Sequence, residues 1–216
     1  MKKFELTNEF VTNIFGTKLF RIRALVEFGD VEAGELGGYV EKESNLGHDG
    51  NAWVYGDALV SGDAQVSGNA RVYGNARVYG NARVCGEARV YGNAWVSGNA
   101  RVYGNAWVSG NARVYGDALV SGDAQVSGNA LVRGDGDYAY AHGFGSVNRT
   151  TTFFRLKDGG VGVRCGCFYG TLPEFRDKIR ETHGESAIAE EYLDLAALME
   201  KRFRRTGNEQ KTEEES

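Results

Sequence analysis

Asn69-Ala70-Arg71-Val72-Tyr73-Gly74 is followed without a break by Asn75-Ala76-Arg77-Val78-Tyr79-Gly80, and this six-residue unit decides the fold. From Asn51 to Gly134 fourteen such hexads run in register, each an Asn, Asp or Glu followed by Ala-x-Val-x-Gly. Within a hexad, Ala and Val alternate with variable residues, the period-two signature of a short strand with one buried face. Gly followed by Asn or Asp then turns the chain, because Gly accepts positive φ freely and Asn and Asp tolerate it better than most residues. Six residues cannot bury their own Ala and Val. Coils stacked at the roughly 4.8 Å strand spacing can, as continuous ladders inside a solenoid.

The repeat changes character at both ends while keeping its register. Beyond Val132 the buried slots fall on Tyr138 and Phe144, which are expected to plug the open end against strand pairing by other chains. Before the hexads, Phe10–Phe15 and Lys18–Val26 flank Gly16-Thr17 and predict a hairpin cap. After them, Thr151–Leu156 and Val161–Phe168 flank Lys157–Gly160 and predict a second hairpin. Thr171-Leu172-Pro173-Glu174 starts a helix expected to stop at Gly184. A second helix is expected after Ser186, with Ile188, Tyr192, Leu195, Leu198 and Met199 on its apolar stripe. The polar, acidic stretch 207–216 is expected to be disordered. The expected division is 1–44, an N-terminal β cap; 45–145, the repeat; 146–206, an α+β unit; and 207–216, the tail.

Composition agrees with a glycine-punctuated, mainly β protein. The 216 residues include 31 glycines but one proline and no Gly-X-Y period, which excludes collagen and Pro-rich linkers. A net charge of −4 gives no global field that argues for nucleic acid or an anionic membrane. Residues 51–134 hold seven arginines against five acids, the wrong sign for a DNA mimic and too sparse for tight duplex binding. No apolar run reaches transmembrane length, and because Met1-Lys2-Lys3 leads into Phe4–Glu9 rather than an unbroken apolar segment, no signal peptide is expected. Three cysteines, Cys85, Cys165 and Cys167, suit reduced thiols, so the expected compartment is the cytoplasm.

The run of hexads resembles the hexapeptide-repeat, left-handed parallel β-helix family, in which three hexads, or eighteen residues, form one triangular coil. That resemblance, not the periodicity, implies the handedness. Fourteen hexads then make about 4.7 coils. With Gly29–Val40 before the hexads and Cys165-Gly166-Cys167-Phe168 after them, the chain also resembles uncharacterised phage and prophage solenoid proteins, which implies a phage or prophage origin and transfers no mechanism.

Many hexapeptide-repeat proteins are acyl-CoA-dependent acyltransferases with a histidine base beside a projecting loop. The fourteen hexads here contain neither histidine nor loop. His48 and His142 lie in degenerate hexads at opposite ends, where polar capping explains them, and His183 closes a helix. Cys165, Cys167 and His183 could supply three zinc ligands, but Cys-x-Cys is not the usual spacing and no fourth ligand is evident. Alternation would place both cysteines on one strand face as small apolar residues. No cofactor is implied.

Every eighteenth residue falls on the same wall. One wall carries Trp53, Arg71, Arg89, Trp107 and Gln125 beside Tyr55, Tyr73, Tyr91, Ser109 and Ser127. The other two read Leu59, Arg77, Trp95, Arg113, Leu131 and Gln65, Arg83, Arg101, Leu119. Trp, Tyr and Arg dominate interface hot spots, so Trp53, Tyr55, Arg71, Tyr73, Arg89, Tyr91 and Trp107 form the expected binding face. Residues 51–68 recur as 111–128 with Arg113 for Trp53, an offset of sixty that is not a multiple of eighteen. The copy therefore sits on another wall, a displacement that a repetitive surface survives better than a catalytic constellation. The expected function is a non-enzymatic scaffold or interaction protein that binds a host protein or its own copies, with inhibition of a host-defence enzyme as a narrower version. The alternative is an acyltransferase.

Overall fold

The structure, a computed structural model, describes residues 1–13 and 16–214, with side chains up to residue 206 at the C-terminal end. The Ile14-Phe15 end of the first expected strand run lies outside the described residues.

The chain opens with three strands, β1 (Phe4–Thr12), β2 (Lys18–Ala24) and β3 (Leu36–Val40). Strands β4 to β17 are the fourteen two-residue strands from Trp53–Val54 to Leu131–Val132, one per hexad. They pair in parallel with the strand eighteen residues away, Arg71 opposite Arg89 and Val72 opposite Val90, to build three walls. The result is a mainly β, three-walled parallel solenoid of about five turns.

Every hexad valine is fully buried, and so is every hexad alanine except the last, Ala130, at 2% exposure. In a central hexad Val78 points inward while Arg77 and Tyr79 are only partly covered, the alternation the sequence predicts. The corners run at positive φ, between +59° and +70° from Gly56 to Gly128. Corner asparagines meet one coil apart, Asn93 Nδ2 donating to Asn111 Oδ1 at 3.3 Å and Asn99 Nδ2 to Asp117 Oδ1 at 3.0 Å.

The N-terminal segment does more than close a mouth. Strands β1, β2 and β3 pair antiparallel in sequence, and β3 then pairs in parallel with the first coil, Tyr39 opposite Leu59, so the hairpin continues one wall into an eight-stranded sheet. Its Phe4, Ile22 and Val31 join the solenoid core.

At the other end an antiparallel sheet of β18 (Tyr138–Phe144), β19 (Arg149–Arg155), β20 (Val161–Cys165) and β21 (Phe168–Thr171) packs under α1 (Leu172–His183) and α2 (Ala187–Glu214). The hydroxyl of Thr171 accepts from the Glu174 amide, and the Glu174 carboxylate accepts from the Thr171 amide at 2.7 Å, so α1 starts with the expected capping box. It stops at Gly184, φ +58°.

Four expectations are corrected. Tyr138 is buried at the solenoid's exit, but Phe144 is 38% exposed, because β18 leaves the prism to pair with β19. Ile188 and Leu198 are exposed, and Ala189, Tyr192, Leu195, Ala196, Met199 and Phe203 cover the sheet instead. Cys165 is buried while Cys167 is exposed, because β20 ends at Cys165 and Gly166 turns the chain at φ +58°. The stretch expected to be disordered from residue 207 continues α2 as far as Glu214, since a polar composition does not forbid helix.

Candidate binding face

Seven residues were expected on one wall, and the structure keeps six of them at its surface. Trp53 is the correction: it is fully buried. The N-terminal cap closes over the first coil, with the Phe28 ring at 5.4 Å and the Phe4 ring at 6.2 Å, both edge-on to the indole. Gly37 lies so close that a Cβ there would sit 2.8 Å from the Trp53 ring. Trp53 therefore anchors the cap and presents nothing to a partner.

The other six form a ladder along the solenoid axis. Tyr55 meets Tyr73 edge-on at 6.4 Å, Tyr73 stacks on Tyr91 at 5.1 Å and 4°, and Tyr91 meets Trp107 edge-on at 6.4 Å. Arg89 lies 5.2 Å over the Trp107 ring, within cation–π range. The eighteen-residue pairing of Trp53, Arg71, Arg89 and Trp107 fixes this order, since each outward side chain stands directly above its counterpart in the coil below.

A residue that sequence reading missed joins them. Asp30 lies far from the hexads in sequence, yet its carboxylate accepts from the Tyr55 hydroxyl at 3.1 Å and from Arg71 Nη1 at 2.9 Å. The arginine pair thus has an acidic neighbour, delivered by the cap. The cap turn holding Phe28 and Val31 in mutual backbone hydrogen bonds sets its position. Burial, seconded by Asp30, pushes the Tyr55 phenol up to about 12, so it stays neutral and keeps donating. Burial, and then repulsion from the neighbouring Tyr91 phenolic oxygen, raise Tyr73 in the same direction. Asp30, Tyr55, Arg71, Tyr73 and Arg89 enclose an open cleft of about 270 Å³.

The neighbouring wall holds a second aromatic–cation stack. Trp95 lies between Arg77, 5.3 Å away, and Arg113, 4.7 Å away. The same eighteen-residue spacing could have found it, because the sequence aligns all three in one column.

The histidines are engaged at the ends. His48 Nδ1 accepts from the Lys3 amide at 3.1 Å and its Nε2 faces Glu43 at 2.9 Å, while His142 Nδ1 meets the Thr150 hydroxyl at 2.9 Å. Cys165, Cys167 and His183 do line one cavity. Among the described residues, however, no group of three or more His, Cys, Asp or Glu side chains is arranged to hold a metal ion. The thiol of Cys165 instead faces the Thr151 hydroxyl at 3.1 Å. Among the described residues no helix is long and apolar enough to cross a membrane.

No curated protein matches the chain. A family model described as the YdcK beta solenoid repeat matches residues 52–68, 64–80, 70–86, 82–98 and 94–110, so over the coils that carry the aromatic ladder this chain is similar to the YdcK beta solenoid repeat.

Proposed function

We propose that the chain is a non-enzymatic scaffold that binds protein through the wall of Tyr55, Arg71, Tyr73, Arg89, Tyr91 and Trp107. The partner is a second copy of the chain or a host protein, which suits the phage or prophage origin that the flanking segments imply. Cytoplasmic placement goes with this reading, as Cys85, Cys165 and Cys167 are free thiols. The observation that carries it is the uninterrupted ring ladder from Tyr55 to Trp107, flanked by Arg71 and Arg89. Tyr and Trp rings supply large contact area at low conformational-entropy cost, and Trp, Tyr and Arg are the residue types that dominate binding energy at interfaces.

The test is Tyr73→Ser combined with Arg89→Ser. Both positions point outward, and serine already occupies the Tyr row at Ser109 and Ser127. Thermal stability should hold, while self-association by sedimentation velocity, or capture of a host protein, weakens at least tenfold, about 1.4 kcal/mol. Unchanged association with an intact fold would move the contact surface to the caps.

A further inference from the structure

The C-terminal sheet and helices form an open-sided cavity of about 250 Å³, separate from the solenoid walls. Its apolar side is built by Phe168, Phe175 and Ile179, with the Phe168 and Phe175 rings 5.4 Å apart and Tyr192 edge-on to Phe175 at 5.9 Å. Its polar side is cationic, carrying Arg149 and Lys178 and no carboxylate. His183 stacks on Tyr192 at 5.9 Å beside them.

Arg149 is the unusual member. It extends from the start of β19 across the turn that follows β20, and a Cβ on Gly166 would overlap its Nη1. Gly166 therefore leaves the room in which the guanidinium lies. Among the described residues no carboxylate pairs with Arg149. Lys178 pairs with Glu181 at 2.7 Å, but both side chains are more than half exposed, so that pair is weak and yields readily to a competing anion.

We propose that this cavity binds a small organic monocarboxylate, its apolar body against Phe168, Phe175 and Ile179 and its carboxylate on Arg149 and Lys178. The planar guanidinium fork matches a carboxylate with two parallel hydrogen bonds, and the ammonium adds a point charge. The cavity lies just below the roughly 300 Å³ at which pockets for drug-sized ligands begin, so the ligand is a single ring or a short chain. This inference is independent of the aromatic wall.

The experiment titrates the full chain with benzoate, cinnamate and octanoate by calorimetry, with benzamide as the uncharged counterpart and sulfate as a bare anion. At least one carboxylate should saturate at one site, benzamide should bind at least tenfold more weakly, and Arg149→Gln should weaken the carboxylate tenfold or more with the melting temperature retained. If Arg149→Gln disturbs the fold, Lys178→Gln, at an exposed helix position, carries the same expectation at about threefold. The proposal is overturned if no carboxylate saturates by about 10 mM, if sulfate binds as tightly as the carboxylates, or if the folded variants bind like the parent chain.

Discussion

Gly68 lies one coil from Gly86, so close that a Cβ on Gly68 would stand 3.1 Å from the Gly86 amide nitrogen. With φ at +67°, the corner selects glycine twice, once for backbone conformation and once for room. Gly68→Ala should destabilise the fold by about 1–2 kcal/mol. Gly134→Ala is the control: its φ is −161°, nothing lies near its Cβ, and the change should stay within about 0.5 kcal/mol. Chemical denaturation of both variants checks this; equal midpoints would refute the corner argument.

Ala76 occupies a fully buried slot between Val72 and Val78. Ala76→Leu adds three carbons where neighbouring coils leave no space, so it should cost about 1–3 kcal/mol. A melting temperature equal to that of the parent would mean that the interior has slack.

Asp137 is fully buried beneath the exit of the solenoid, where it accepts from Arg133 Nε at 3.2 Å and faces Arg155 Nε at 3.6 Å. Asp137→Ala removes the acid and leaves the 11%-exposed Arg155 guanidinium without its counter-charge, at a cost of about 3–5 kcal/mol. Hydrogen exchange should show the loss first in β18, β19 and the last coil.

Lys3 provides a pH signature. Its ammonium donates to the carbonyls of Gly50 at 3.2 Å and Ala52 at 2.9 Å, and burial, opposed by Asp49, pushes its pKa down to about 8. In the unfolded chain the amine keeps its usual value near 10.5, so between these two values the unfolded state binds more protons and stability rises with pH. Lys3→Met lacks this slope. The melting temperature of the parent minus that of Lys3→Met should therefore increase from about pH 8 to about pH 10; a flat difference would place Lys3 in ordinary solvent.

The interior was legible in the sequence because it is periodic. Val78 and Ala76 repeat one relation fourteen times, and no contact beyond the next coil is needed to infer their direction. Trp53 obeys the same period but is buried by Phe4, Phe28 and Gly37, residues of a cap whose approach no local pattern encodes. Asp30 reached Arg71 by the same route. Phe144 departs from its expected slot for a related reason: period gives the direction of a side chain only while the element keeps its neighbours, and β18 exchanges a parallel wall for an antiparallel hairpin. The cavity around Arg149 joins three strands and two helices, so only the tertiary fold assembles it.

The walls repeat every eighteen residues, whereas the sequence repeats every six. The solenoid thus behaves as a screw whose thread can be cut at three points per revolution. Removing three hexads would shorten it by one coil and leave the two ends facing as before. Removing one would keep every valine and alanine in a proper slot, yet turn the distal cap, with its arginine-rimmed cavity, by a third of a revolution about the axis. The internal copy of 51–68 at 111–128, displaced by ten hexads, is offset by the same third of a revolution. Gain or loss of single hexads would therefore re-aim the two ends relative to one another at little expense to the core, making orientation between caps a property that duplication alone can change.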